Sequence, residues 1–170
     1  MVRMKTLPLM ILLLAACSHA PLDSQPMPRV EAEKYMGKWY EIARLPNRFE
    51  KGCDGVTAEY TLQKDGTVSV LNTCHKGGPQ GPARTASAKA WSVDPSGSRY
   101  EVSFFRPFRA PYWIIELEEQ YRWAAVGHPD RKYLWILARE KTLPPEVEKD
   151  LLAKLQALGY DTARMERPKQ

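Results

Sequence analysis

The chain has 170 residues, 44% of them hydrophobic and 26% charged, with a formal net charge of +5; this size and balance fit one globular domain. Its Lys and Arg residues are scattered rather than run together, which gives a nucleic-acid role no support. Five Trp, eight Tyr and four Phe supply enough apolar area to line a core or a pocket.

Arg3 and Lys5 precede an apolar run over residues 7–16, broken only by Pro8. A basic segment followed by a short apolar one reads as a secretory leader, too short to span a bilayer as a permanent helix. Without those two cations the chain carries 23 basic and 20 acidic residues. The run ends in Leu14-Ala15-Ala16-Cys17, which resembles the lipobox of bacterial lipoproteins; the alternative is an ordinary secretory signal with an incidental Cys. The resemblance implies a leader over residues 1–16 and acylation of Cys17 as the new N-terminus. Because residue 18 is Ser and not Asp, it also implies an outer-membrane destination. Acyl chains contribute about 0.8 kcal/mol per buried methylene, and several together hold a protein stably on a membrane. Residues 17–28 are polar, contain Pro21, Pro26 and Pro28, and read as the lipidated Cys and a flexible tether. The folded domain is then 29–170, entered through a helical turn expected at 30–35.

Three cysteines are present. With Cys17 taken by the anchor, Cys53 and Cys74 remain, and an oxidising exported compartment favours a bond between them. A metal site would need more ligands than the adjacent His75 offers, and none is expected.

After Gly37-Lys38-Trp39 the chain breaks into short runs of alternating apolar and polar residues separated by turn residues. The predicted strands cover 39–45, 56–63, 67–74, 84–93, 99–106, 112–118, 121–127 and 132–138. Lys64-Asp65-Gly66 and Asp94-Pro95-Ser96-Gly97 are turn signals between them. The period then changes. Over 145–159, Val147, Leu151, Leu155 and Leu158 recur at helical steps, with Pro at the start and Gly at the end. The eighth strand is apolar on both faces, and this helix is what would cover its outer face. The prediction is an all-β fold: an eight-stranded antiparallel up-and-down β-barrel with one C-terminal α-helix packed outside.

Meander connections alternate ends. Those on the side where the first strand begins are short, and those on the other are mostly longer, so the barrel is a cup with a closed floor and an open mouth. Cys53 and Cys74 both fall at the mouth, where a bond would contribute about 2–4 kcal/mol by closing the longest rim loop.

Three separated stretches carry a resemblance to the lipocalins, above all to those that are bacterial outer-membrane lipoproteins. They are Met36-Gly37-Lys38-Trp39-Tyr40-Glu41-Ile42-Ala43-Arg44; Val102-Ser103-Phe104-Phe105 with Pro107-Phe108; and Gly127-His128-Pro129-Asp130-Arg131 leading into 133–137 and Arg139. The resemblance implies that Gly37, Trp39 and Arg139 are structural. Trp39 would form the floor and Arg139 pack across it, a placement that barrel closure independently requires. Cation–π attraction there is worth about 0.5–2 kcal/mol.

No catalytic constellation is apparent: the three histidines lie in the tether or in and beside rim loops, there is no phosphate loop, and the domain cysteines pair with each other. The chain is therefore read as a binder without catalytic residues or a cofactor. Alternation places Val56, Ala58, Tyr60, Leu62, Val68, Val70, Ala86, Ala88, Ala90, Tyr100, Val102, Phe104, Trp113, Ile115 and Leu117 inside, with the alanines leaving space. It also places Glu41 inside, without a partner. Candidate ligand contacts are Tyr60, Phe104, Arg106, Phe108, Arg109, Trp113 and Trp135; Trp135 faces either the pocket or the helix. Arg106 and Arg109 suit a carboxylate or phosphate, which points to fatty acids or lysophospholipids. The alternatives are another apolar molecule, carotenoid or haem-like, or an envelope interaction module with a filled barrel. Because the first strand starts at the floor, the tether is expected to leave from the closed end, with the mouth pointing away from the anchoring membrane unless the tether folds back.

Overall fold

The computed structural model describes residues 19–170, so Cys17, the leader and the start of the proposed tether lie outside the described residues. Eight strands form one closed antiparallel barrel in simple sequence order: β1 Gly37–Arg44, β2 Cys53–Leu62, β3 Val68–Lys76, β4 Ala83–Ser92, β5 Arg99–Ser103, β6 Ala110–Leu117, β7 Trp123–Gly127 and β8 Leu134–Ala138. Closure is made by β1 against β8, with Tyr40 opposite Ala138 and Arg44 opposite Trp135. A short helix, α1 (Ala32–Tyr35), enters at the floor, and α2 (Pro145–Ala157) packs outside.

The fold has two apolar cores. The outer one lies between α2 and the barrel wall: Leu151 and Leu155 of α2 are buried against Ile115, Leu134 and Ile136. Each such leucine contributes about 1.5–3 kcal/mol by leaving water. This core accounts for the two-sided apolarity of β8, whose alternate residues Trp135 and Leu137 belong to the inner core instead. Pro145 at the first helical position suits α2, because its missing N–H would be unpaired there anyway. The chain just past its end is tied to the mouth: Tyr160 donates to the backbone oxygen of His128 at 3.0 Å. That close approach requires Gly127, since a Cβ there would stand 2.1 Å from the Tyr160 hydroxyl.

Residues ahead of α1 depart from the expected loose tether. Leu22 is buried in the outer core. Arg131, in the β7–β8 loop at the mouth, donates to the carbonyl of Ala20, and at 2.6 Å to that of Leu158. Further on, the Asp23 carbonyl accepts from Arg99 at 3.1 Å, and Val30 N–H donates to Ser96 in a floor loop at 2.8 Å. The segment therefore starts beside the mouth and descends the outer wall to the floor. It thus joins the barrel at the closed end, as expected, but folds back along the outer wall, so that its start lies at the mouth. The apolar side chains of Leu22, which is buried, and Met27, which packs against the same core, are what fasten it.

Candidate functional site

The floor is built first by Gly37, whose φ of +90° turns the chain from α1 into β1 in a conformation only glycine adopts freely. Trp39 then points inward, is fully buried and donates its indole N–H to the Tyr35 carbonyl at 2.8 Å. The Arg139 guanidinium stands 3.8 Å from the centre of the Trp39 ring. It also donates to the carbonyls of Lys34, Met36 and Lys38, each at 2.9 Å. Arg139 thus caps the end of α1 with a positive charge and closes the barrel across the indole.

Above the floor three tyrosines share hydroxyls. Tyr112 stands 2.8 Å from Tyr60 and 3.0 Å from Tyr35, oxygen to oxygen. Buried hydroxyls need partners, and each of these finds one in another. Burial pushes the Tyr35 and Tyr112 hydroxyls well above the ordinary range, so the cluster stays neutral.

Exposure then rises toward the mouth on three adjacent strands. On β3 Val68 and Val70 are buried and Asn72 half-buried, whereas β2 shows no such gradient, since Val56 above half-buried Ala58 is buried again. On β4 the series Ala90, Ala88, Ala86 runs from buried through half-buried to exposed, and so does Tyr100, Val102, Phe104 along β5 and just past its end. Inward-facing residues reached by solvent from above describe a cup in the upper half of the barrel. The Oδ1 atom of Asn72 is buried there without a hydrogen-bond partner among the described residues, and it sits in register between Ala58 and Ala86.

The opposite wall is polar. Glu41 is inside and buried, and its partner is Arg44, which donates to it at 2.6 Å. Burial and the neighbouring Glu50 carboxylate push Glu41 well above the usual carboxylate range, partly opposed by Arg44. Glu50, from the β1–β2 loop, accepts from the Trp135 indole at 2.9 Å and from Asn47 at 2.6 Å. Trp135 therefore faces the barrel interior. The rim is pinned by the Cys53–Cys74 disulfide.

Several predicted site residues lie elsewhere. Trp113 and Ile115 face outward into the core beneath α2, and Trp113 carries the Arg99 guanidinium 4.5 Å from its ring centre. The register of β6 shifts between Ile114 and Glu116. That bulge lets Leu117 share the interior with Tyr112 and Ile114 while reversing the faces upstream. Arg109 is held outside, donating to Glu101 at 2.9 Å and lying 4.4 Å over Trp91. Arg106 leans on the same indole at 6.0 Å, beside a groove between Ser87, Ala88 and Phe104. The two arginines are thus withdrawn from the cup, because β5 stops at Ser103 and the loop after it folds outward. Phe104 stands at the lip, and Phe108 is exposed on that loop. Of the interior residues, Tyr35, Tyr112 and Asn72 were not anticipated; Asn72 follows from continuing the alternation of Val68 and Val70.

A Lipocalin-like domain model matches residues 30–170. The chain is 38% identical to the outer membrane lipoprotein Blc of Escherichia coli strain K12, over 95% of each chain, and 39% identical to that of Vibrio cholerae, over 90% of each. It is 32% identical to apolipoprotein D of Mus musculus, over 89% of this chain and 81% of that one. Among solved structures, insecticyanin from Manduca sexta superposes with a TM-score of 0.67 at 21% identity, covering 85% of this chain and 83% of that one.

Proposed function

The chain belongs to the lipocalin family, and from that premise we propose that it binds acyl lipids, fatty acids or lysophospholipids, and stores or carries them for maintenance of the cell envelope. It is a binding protein, not an enzyme. We place it at the outer membrane, held by acylation of Cys17, as the names of the Blc relatives and the lipobox-like Leu14-Ala15-Ala16-Cys17 together support.

The observation that carries this reading is the graded exposure of the inner wall, from buried Ala90 to exposed Ala86 on β4 and from buried Tyr100 on β5 to exposed Phe104 just past its end. An apolar chain entering from the mouth would lie against Ala88 and Val102 and stop above the tyrosine cluster, its polar end left in water. Asn72 offers a hydrogen-bond acceptor to a hydroxyl on the way in. Since Arg109 is committed to Glu101, this placement replaces the arginine-bound head group expected from sequence.

The test is native mass spectrometry of protein purified from its own envelope, compared with Ala88→Phe. A co-purifying acyl lipid is expected in the parent, and its loss in the variant, which narrows the cup at mid-height with little change in thermal stability. An adduct retained by Ala88→Phe would move the ligand out of the cup, and a pigment in place of the lipid would change its class.

A further inference from the structure

All four phenylalanines of the chain are exposed: Phe49 at 65%, Phe104 at 40%, Phe105 at 80% and Phe108 at 77%. They occupy the β1–β2 loop and the β5–β6 loop, both at the mouth. None is in either core. The loops at the mouth (45–52, 77–82, 104–109 and 128–133) hold six Lys or Arg and two carboxylates, whereas the floor loops (63–67, 93–98 and 118–122) hold two and four. Arg48 and Phe49 lie together, the guanidinium 5.0 Å from the ring centre, and Phe49 in turn approaches Tyr133 of the β7–β8 loop at 6.1 Å. Exposed aromatic rings among basic residues suit the boundary between lipid headgroups and acyl chains.

The start of the described chain points the same way. Ala20 is bound by Arg131 in the β7–β8 loop, and His19 lies against Gly159 beside it. Cys17 is two residues before His19, a reach of about 7 Å at most. An acyl anchor on Cys17 therefore belongs to the mouth end, not the floor.

We infer that the open end of the barrel docks on a bilayer surface containing anionic phospholipid, with Phe49, Phe105 and Phe108 inserted among the headgroups and the cup opening toward the membrane that holds the anchor. This deepens the envelope reading and rests on it for the position of the anchor, though the aromatic and charge asymmetry stand without it. It gives the cup a direct route to its ligand: an acyl chain passes from bilayer to barrel without crossing bulk water.

The test uses mature protein extracted from its membrane, as Phe105→Cys or Lys64→Cys. Each variant is labelled on the new thiol with an environment-sensitive fluorophore and mixed with vesicles of phosphatidylethanolamine and phosphatidylglycerol containing a nitroxide-bearing lipid. Quenching is expected at position 105 and not at position 64 in the floor loop, and it should weaken when phosphatidylcholine replaces phosphatidylglycerol. No quenching at 105, or equal quenching at both positions, overturns the docking. A label at 105 shielded before any vesicle is added also overturns it, since a second copy of the chain then covers the mouth. The mass of the N-terminal peptide reads acylation of Cys17 separately, so a bare Cys17 would refute the anchor while leaving the docking to be judged by the quenching.

Discussion

At the floor, Trp39 is fully buried, its indole N–H is satisfied by Tyr35, and Arg139 covers its face while binding three carbonyls. At the mouth, four phenylalanines stand in water and the inner wall is made of alanines whose exposure grows upward. The same strands build both ends, so the difference lies in the side chains and in where pairing stops. β1 and β2 are paired from Gly37 to Tyr40. Above that, the C-terminal tail fills the seam, with Glu166 bridged to Arg44 and Gln170 donating to the carbonyls of Glu41 and Val56. The floor is thus where stability is concentrated, and the mouth is where surface is left for binding.

The sharpest way to break that comparison is Trp39→Ala. Loss of the indole and of the ring beneath Arg139 should cost about 3–5 kcal/mol, read from chemical denaturation, and a cost under about 1 kcal/mol would mean the floor does not carry the fold. The double substitution Cys53→Ser/Cys74→Ser should cost about 2–4 kcal/mol. Its damage should stay at the mouth, with faster amide exchange in β2 above Ala58 and in the β1–β2 loop while the β1 amides near Trp39 remain protected. Exchange that rises equally at both ends would remove the distinction.

The smallest effect concerns Glu41. Its raised pKa means that the folded chain keeps a proton which the unfolded chain releases near 4.5. Stability contributed by this group is therefore greatest below that value and declines as pH rises toward the folded pKa. Glu41→Gln should flatten this decline, so that parent and variant differ more at pH 7 than at pH 4, with the variant relatively favoured at the higher pH. Identical pH profiles would place Glu41 outside the polar wall assigned to it.

Strand number, order and the covering helix were legible because alternation and helical periodicity are local properties of the chain. Arg139 against Trp39 was legible because closing any eight-stranded meander brings the end of the last strand to the start of the first. The face of Trp113 was not. In β6, Tyr112, Trp113, Ile114 and Ile115 are apolar without alternation, since one face meets the barrel interior and the other meets α2, and nothing in such a run marks the bulge between Ile114 and Glu116. Arg109 failed for a different reason: a loop's direction follows from what its side chains find, here Glu101 and Trp91 on the outer wall. Leu22 failed because it and Met27, two apolar residues five apart among prolines, carry no periodic signal.

The amino-acid sequence alone determined the class, since turn chemistry, alternation and the Gly37-Lys38-Trp39 entry all act within a few residues of one another. Only the tertiary structure decided which way the cup faces relative to the start of the chain, that Glu41 pairs with Arg44, that the tyrosine hydroxyls meet, and that the arginines of the β5–β6 loop leave the mouth. Each of these depends on contacts between residues far apart in the chain, whose geometry is set by barrel closure and by bulges that no local pattern encodes.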